Sequence, residues 1–299
     1  METSQEVIFR CFASGSSGNC YYLGSKDCGI LIDAGISART IFKYLQQMNL
    51  DFTKILAVLV THDHADHIRA VGTLGEKVHL PIYATETIHK GIDRNYGVSV
   101  KLRTSRKYFV KGEPFEISAG GTVAASSESV HGGEPLCFKI NSFEVSHDSS
   151  ECVGYCIDVR GRRFVIITDC GEPNPQMEDY IRTANHIVIE ANHDEQMLLN
   201  GPYPTYLKER ILSPKGHQSN VVCGELLEHN YHNGLKHIFL CHLSEENNDP
   251  QLAYQTVRDH LLSAGANLLE DVPKGEHVPQ GKTLLKALDR LDASPVYLL

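Results

Sequence analysis

The sequence has no long apolar run and no sign of an export signal. Residues 55–60 form its main continuous apolar stretch, whereas a membrane-spanning helix needs about 20 such residues. Residues 1–12 do not combine a basic segment with a following apolar segment, as a secretory signal would. We therefore expect a cytoplasmic protein that does not cross a membrane.

Paired cysteine motifs are absent as well. The nine cysteines are an odd number, and they are spread from Cys11 to Cys241 without a C-x-x-C pair. A disulfide framework needs pairs and a structural zinc cage needs closely spaced thiolates, so neither fits. We expect reduced thiols that are mostly buried.

The sequence has fewer basic than acidic residues. The 28 lysines and arginines stand against 37 acidic residues, which gives a formal net charge of -9 at pH 7. This balance argues against a protein that coats nucleic acid through a broad positive surface. The apolar fraction of 41% is ordinary for a globular protein. We expect one domain that spans residues 1–299.

Strand and helix signals alternate along the chain. Three short apolar segments at residues 7–14, 20–23 and 29–32, divided by Gly-Ser turns, predict a strand meander. A helix capped by Ser37 follows, and residues 55–60 then predict a strand that is buried on both faces. The pattern predicts a mixed α/β fold.

Further strands and helices are predicted in the rest of the chain. The strands lie at residues 82–84, 108–110, 115–118, 143–146, 154–159, 163–168, 187–189 and 237–240. Small and polar residues predict a mobile loop or weak hairpin over residues 119–135, and prolines predict a loop over residues 202–214. Helices are predicted from about Asn220 and after the Asp249-Pro250 cap signal.

Histidine is unusually frequent, with 16 residues, and one short segment concentrates potential metal ligands. The segment THDHADH, residues 61–67, directly follows the buried strand. In an extended chain His62 and His64 point the same way and can bind one ion. Asp66 and His67 can bind a second ion, because the chain turns into a helix at that point. Imidazole and carboxylate ligands without thiolate suit Zn, Mn or Fe, and a solvated histidine-rich turn is the alternative.

This segment resembles the metal-binding motif of the metallo-β-lactamase superfamily. The pattern H-x-H-x-D-H follows a strand, and the string LIDAG precedes it. Three later strings, FEVSHD, FVIITDCG and HIFLCHLS, match the remaining superfamily motifs in order. The resemblance implies a four-layer αββα sandwich with a dinuclear metal site between its two sheets. The implied ligands are His62, His64 and His147 for the first ion, Asp66, His67 and His242 for the second, and Asp169 bridging both.

Further residues indicate which branch of this superfamily the sequence resembles. Asp169 stands where penicillin-hydrolysing members usually have Cys or Ser, which disfavours lactam hydrolysis. Glu190 in IVIEAN and His217 in SPKGHQSN resemble the phosphodiesterase branch. Together with FASGSSGNCYYL, THDHADH and LCHLSEENN, these strings look most like the bacterial YycJ/WalJ nuclease family. That resemblance implies a 5′-to-3′ exonuclease of DNA with two divalent ions, Zn or Mn.

Two rival functions stay open at this point. One is a metal-dependent hydrolase of RNA, small phosphodiesters or thioesters, whose rim would need no basic path for a polymer. The other is a metal-stabilised regulatory protein without turnover. The pair of Glu190 and His217 argues against the second rival, because pure binding does not require a proton donor.

The same residues predict a mechanism. Two ions about 3.5 to 4 Å apart can share a hydroxide, which attacks the phosphorus in line. His217 is the candidate general acid, and Glu190 would hold its other ring nitrogen and favour its charged form. Asp66 would contribute to catalysis through the second ion. For His217 the alternative is a loop histidine that bonds backbone near Pro214, and His193 competes for its role.

Other candidate residues lie close to these motifs. Asp33 ends a strand beside the metal loop, so we expect it to orient a ligand histidine or the loop amides, with simple turn capping as the alternative. Ser16 and Asn19, in the Gly-Ser turn, are candidates for phosphate contacts, although plain hairpin geometry explains the turn equally well. Lys215 and Asn220, in SPKGHQSN, are further substrate-binding candidates.

Overall fold

The protein folds into two β-sheets packed face to face, with helices on the outer sides, so the predicted α/β sandwich is confirmed. A computed structural model describes residues 6–119 and 135–299. The loop predicted over residues 119–135 therefore lies outside the described residues, apart from its two ends.

Strands and helices alternate along most of the described chain. The strands are β1 (Ile8–Ala13), β2 (Cys20–Gly24), β3 (Gly29–Ile32), β4 (Ile55–Leu59), β5 (Ile82–Ala84), β6 (Arg106–Tyr108), β7 (Phe115–Ser118), β8 (Cys137–Glu144), β9 (Val153–Val159), β10 (Arg162–Ile167), β11 (His186–Glu190), β12 (His237–Cys241), β13 (Leu268–Leu269), β14 (Thr283–Ala287) and β15 (Tyr297–Leu298). The helices are α1 (Ala38–Gln47), α2 (Ala65–Ile68), α3 (Val71–Val78), α4 (Glu86–Arg94), α5 (Pro175–Ile181), α6 (Glu195–Asn200), α7 (Thr205–Ile211), α8 (Asn220–Asn230) and α9 (Pro250–Ser263). A 3-10 turn spans Phe52–Lys54.

Each sheet contains a block of parallel strands. The first sheet has the order β15-β1-β2-β3-β4-β5-β6, and the second has the order β13-β14-β12-β11-β10-β9-β8-β7. Strands β3 to β6 are parallel in the first sheet, as are β10, β11, β12 and β14 in the second. The carboxyl ends of the parallel strands meet at one edge of a sheet, which is where α/β proteins place their ligand sites.

The second sheet is buried on both faces. Val188 in β11 belongs to the core between the sheets, where the ring of Phe9 lies 4.7 Å from the ring of Phe239. Its neighbours Ile187 and Ile189 belong to a second core, which they share with residues of α5, α8 and α9. Because side chains alternate along a strand, one continuous apolar run serves both cores.

Several sequence predictions agree closely with the structure. Helix α1 is capped by Ser37, whose side chain accepts a hydrogen bond from the Thr40 amide, and α9 is capped by Asp249 with Pro250 at its first position. All nine cysteines are free and seven of them are buried, as expected. Among the described residues, none of the helices combines the length and apolarity needed to span a membrane.

Other predictions were wrong. The loop predicted over residues 202–214 contains helix α7, which begins directly after Pro204; proline is favoured at helix starts as well as in loops. The strand predicted at 143–146 is β8, which begins at Cys137 and ends at Glu144. The strand predicted at 108–110 is β6, which ends at Tyr108.

Candidate active site

Strand ends of both sheets bring the predicted site residues together. The segment with His62 and His64 follows β4, and His147, Asp169 and His242 follow β8, β10 and β12. Glu190 is the last residue of β11, and His217 lies in the loop between α7 and α8. Residues that are up to 180 positions apart by number therefore share one edge of the two sheets.

These side chains form overlapping clusters whose nitrogen and oxygen atoms lie within 4.8 Å of one another. The clusters are His62, His64 and His147; His62, His67 and Asp169; Asp66, His67 and His242; and Asp169, Glu190, His217 and His242. Two of these clusters coincide with the two ligand triads that the sequence resemblance implies. Such a set of imidazoles and carboxylates suits a divalent transition metal.

The unpartnered atoms of the clusters fit a cation. Nε2 of His62 and Nε2 of His242 are buried and have no hydrogen-bond partner among the described residues. Nε2 of His147 and Nδ1 of His64 face each other at 3.2 Å. Burial lowers the pKa of His62 well below its usual value, so this ring is neutral and can offer a lone pair to a metal ion.

The protein fixes the orientation of the histidine rings by holding their other nitrogens. Asp33 accepts a hydrogen bond from Nδ1 of His67 at 2.7 Å. Asp33 also accepts from the amide and the hydroxyl of Thr61, both at 2.8 Å. The Thr61 oxygen lies 3.1 Å from Nδ1 of His62, and since its hydrogen goes to Asp33, it accepts from that ring. Such contacts orient metal-binding histidines in many proteins.

His147 and Asp169 complete the cluster from the second sheet. Nδ1 of His147 donates to the carbonyl of Gly216 at 3.1 Å, which turns Nε2 towards His64. Asp169 lies between the triads, with Oδ2 at 3.0 Å from Nε2 of His67 and Oδ1 at 3.8 Å from Nε2 of His147. The carboxylate of Asp169 therefore adjoins one histidine of each triad.

Glu190 contacts two histidines with one oxygen. Oε1 lies 2.8 Å from Nδ1 of His217 and 2.8 Å from Nδ1 of His242. Oε2 accepts from the backbone amides of Cys170 and Gln218. Burial opposes the negative charge, but the two imidazoles outweigh it and lower the pKa of Glu190. A single buried carboxylate therefore orients both the predicted proton donor and a predicted metal ligand.

The loop that carries His217 is held rigidly. The amide of His217 donates to the carbonyl of Ile211 at 2.9 Å, and a side chain at Gly216 would approach that carbonyl to 2.0 Å. Although burial disfavours the imidazolium, the carboxylate of Glu190 raises the pKa of His217 above its usual value. The side chain is 17% exposed, which leaves it accessible from solvent.

The predicted substrate-binding residues have different surroundings. The amide nitrogen of Asn19 lies 2.9 Å from Nε2 of His67, so this residue belongs to the site. Ser16 and Lys215 are exposed on loops. Asn220 is buried and both atoms of its amide pair with the amide of Asn248. The structure therefore contradicts a substrate contact for Asn220, because its buried side chain joins the start of α8 to the segment before α9.

Sequence reasoning missed two residues that support the site. Asp148 forms a bidentate ion pair with Arg210 and lies 3.9 Å from Nε2 of His64. The amide of Asn192 donates to the carbonyl of His242 at 2.8 Å. Both Asp148 and Asn192 adjoin motif residues in the strings FEVSHD and IVIEAN, and that adjacency is the signal that could have identified them.

Fold and site together define a class: a metal-dependent hydrolase with the metallo-β-lactamase fold. Residues 29–238 match the model of the beta-lactamase superfamily domain. The solved metallo-beta-lactamase fold protein YhfI from Bacillus subtilis is similar at a TM-score of 0.60 and 16% identity, over 97% of this chain and 99% of that chain.

Two relatives define the family more narrowly. The chain is 34% identical over 257 residues to exodeoxyribonuclease YycJ of Bacillus anthracis, which covers 86% of this chain and 90% of that protein. It is 34% identical over 256 residues to exodeoxyribonuclease WalJ of Streptococcus pneumoniae, over 86% and 88%. The chain belongs to the beta-lactamase superfamily and, within it, to the family of YycJ and WalJ.

Proposed function

We propose that the chain is a DNA exonuclease that works from the 5′ end with two divalent ions, Zn or Mn, as cofactors. Two relatives that are named exodeoxyribonucleases support the choice of DNA. The observation that carries the proposal is the contact between Glu190 and His217 beside the two ligand triads. Phosphodiester hydrolysis must protonate a leaving oxygen, and this pair can do so.

The metal ligands proposed for the two ions follow the observed triads. His62, His64 and His147 would hold the first ion and Asp66, His67 and His242 the second, with Asp169 as a ligand that both ions could share. The buried, unpartnered Nε2 atoms of His62 and His242 support this assignment. Divalent ions bound there would lower the pKa of water and offset the charge of a phosphodiester.

His217 is the proposed proton donor. Its Nδ1 is held by Glu190, so Nε2 is the nitrogen that can reach a leaving oxygen. Its raised pKa favours the charged form that donation requires. Proton donation of this kind typically contributes about 100- to 10,000-fold to the rate.

The test is nucleotide release from end-labelled oligonucleotides by metal-stripped protein, with Mn or Zn added back. Duplex and single-stranded DNA are labelled at either end, and RNA of the same sequence is tested beside them. A 5′ exonuclease releases a 5′ label as a mononucleotide at once, whereas a 3′ label stays on a chain that shortens stepwise. We expect this pattern with DNA and only with added metal.

Asp66→Ala is the inactive comparison and Asp27→Ala, at an exposed turn, is the matched control. We expect nucleotide release to fall by more than about 100-fold in Asp66→Ala and to be unchanged in Asp27→Ala. Equal traces for wild type and Asp66→Ala would contradict the proposal. If the protein cleaved a thioester or RNA but released no nucleotide from DNA, it would instead be a thioesterase or a ribonuclease.

A further inference from the structure

Helix α4 ends against the candidate metal-binding segment at residues 61–67. The side-chain amide of Asn95, which follows α4, donates to the carbonyl of Asp63 at 2.9 Å. The carboxylate of Asp63 accepts hydrogen bonds from the hydroxyl and the amide of Ser150, at 2.6 and 3.1 Å. The guanidinium of Arg94 donates to the same hydroxyl at 3.1 Å. These contacts fix the end of α4 beside the candidate metal ligands.

The turn after α4 presents an aromatic side chain to solvent. Tyr96 is fully exposed. The turn is ordered by the amide of Gly97, which donates to Oδ1 of Asn95 at 2.8 Å. A β-carbon at Gly97 would lie 3.4 Å from that of Ala65, the residue directly before Asp66. Tyr96 therefore lies next to the metal-binding segment, and its ring is free to contact a ligand.

Two arginines without carboxylate partners lie beside this turn. Arg94 is the last residue of α4. Arg69 follows α2, one helical turn after Ala65, and because helical side chains point back towards the preceding turn, Arg69 lies on the same face as Ala65. Both arginines are exposed, and neither forms an ion pair among the described residues. Arg106, by contrast, is paired with Asp93 at 2.5 Å.

An exposed aromatic ring beside unpaired arginines suits a single nucleic-acid strand. Arginine binds phosphate oxygens, and bases stack on exposed rings whatever their sequence. A cavity of about 330 Å³ opens beside His217, and His193 and Gln218 lie beside it. Among the described residues its lining contains the carboxylates of Glu172 and Glu195 and no lysine or arginine. Phosphates are therefore attracted to the arginines near α2 and α4 rather than to that cavity.

We propose that the surface formed by Arg69, Arg94 and Tyr96 binds a single DNA strand next to the cleavage site, with the arginines on phosphates and the Tyr96 ring on a base. The inference rests on the proposed nuclease function and narrows its substrate to a polymer, because a small phosphodiester or a thioester would not extend over this surface. It also reconciles DNA binding with a net charge of -9, since a few local arginines contact the phosphates.

The test is binding of a fluorescein-labelled single-stranded DNA oligonucleotide, followed by fluorescence anisotropy over a series of salt concentrations. Metal-stripped protein is used, which separates binding from turnover. Each phosphate contact on a single strand contributes about 0.7 to the slope of log Kd against log salt. Arg69→Gln and Arg94→Gln should each weaken binding and lower that slope by about 0.7, and the double variant should lower it by about 1.4.

Tyr96→Ala should weaken binding by about 10-fold without changing the slope, because stacking on a ring releases no counterions. Tyr96→Phe keeps the ring and should bind as wild type does. Lys54→Gln is the matched control for charge. Lys54 is exposed and precedes β4 at the end of that strand far from residues 61–67, and the strand is about 17 Å long. Its affinity and slope should equal those of wild type.

A cleavage measurement separates this proposal from the proposed function. With Mn added back, kcat/KM for the oligonucleotide is divided by kcat/KM for a small diester, bis(p-nitrophenyl) phosphate. This ratio should fall about 10-fold in Tyr96→Ala and keep its wild-type value in Lys54→Gln. Binding losses in the arginine and Tyr96→Ala variants support the surface even if no DNA is cleaved.

Three outcomes would overturn the surface while the nuclease proposal stands. They are an absence of DNA binding by wild type, equal affinities and slopes in wild type, Arg94→Gln and Tyr96→Ala, and an unchanged cleavage ratio in Tyr96→Ala. Tighter binding of RNA of the same sequence would overturn the choice of DNA as the strand.

Discussion

At the scale of single residues, the site depends on carboxylates that hold one nitrogen of a histidine ring and so orient the other nitrogen. Asp33 does this for His67, and Glu190 does it for His242 and His217. Asp33, Asp169 and His242 also have left-handed backbone, with φ of 58°, 52° and 54°. This conformation costs roughly 1 to 3 kcal/mol at a residue other than glycine and tends to occur at functional sites.

Replacing Asp33 tests its orienting role. In Asp33→Asn the contact with Nδ1 of His67 loses its negative charge, so the ring is less well oriented and less basic. We expect zinc affinity to fall about 10- to 100-fold, measured by competition with a chromophoric chelator. Asp27→Asn, at an exposed turn of the same hairpin, is the control. If Asp33→Asn bound zinc as tightly as wild type, the carboxylate would not orient the metal site and would only cap the turn.

His217→Ala tests the proton donor. The variant should keep its metal content and lose about 100- to 10,000-fold of the single-turnover rate, because it removes the proton donor and leaves both proposed triads intact. Metal content is measured by elemental analysis and the rate by rapid quench. Loss of about one ion per chain would instead make His217 a metal ligand, since it belongs to one of the four observed clusters.

Glu190→Gln is the informative comparison for His217→Ala. Glu190 contacts His242 as well as His217, so we expect this variant to lose metal affinity and rate together. If Glu190→Gln lowered the rate but not the metal affinity, the contact between Glu190 and His242 would not contribute to metal binding.

At the scale of elements, a single carboxylate ties α3 to the segment that leads into β6. Glu76 accepts hydrogen bonds from the amides of Arg103, Thr104 and Ser105 and from the hydroxyl of Thr104. The amide of Arg103 and the other donors lower the pKa of Glu76 from 4.5 to about 2. These contacts favour the ionised carboxylate in the folded protein.

Glu76→Gln should therefore unfold at a lower urea concentration than wild type at pH 7. Since the folded pKa is below the unfolded one, the contribution of Glu76 is fully present above pH 4.5 and is lost as the pH falls towards 2. The difference in urea midpoint should shrink over that interval. Glu225→Gln, exposed on α8, should show no such pH-dependent difference, and a constant difference for Glu76→Gln would contradict the assignment.

At the scale of the whole molecule, the sandwich buries a second histidine pair at the far end of the strands from the site. His186 begins β11 and His237 begins β12, with their Nδ1 atoms 2.8 Å apart. Burial lowers the pKa of His186 well below its usual value and that of His237 to about 3. Both rings are therefore neutral in the folded protein at neutral pH.

This pair predicts sensitivity to acid. The unfolded chain binds protons on these rings below about pH 6.5, whereas burial lowers the pKa of both rings in the folded protein, that of His237 to about 3. Stability therefore falls as the pH decreases below about 6.5. We expect a double variant, His186→Leu with His237→Leu, to lose less stability than wild type between pH 7 and pH 4.5 in urea titrations. His229→Leu, exposed on α8, should behave as wild type, and equal losses in all three proteins would contradict the prediction.

Sequence patterns anticipated the elements whose signals are local. Apolar runs located β4 and β11, and the cap residues Ser37 and Asp249 located the starts of α1 and α9. Helix α7 was missed because proline signals both loops and helix starts. Strand β15 was not predicted; its two residues pair with β1 from the other end of the chain, and no local pattern carries that information.

The sequence by itself determined the class of fold, and it singled out residues 61–67 as the candidate metal-binding segment together with the acidic and histidine candidates, because spacing and residue type are local properties. Three facts came only from the tertiary structure. Glu190 contacts His242 as well as His217, the side-chain amide of Asn220 pairs with that of Asn248, and His193 and Gln218 lie beside a cavity. These facts depend on which strand ends meet, and that is set by the packing of the two sheets rather than by neighbouring residues.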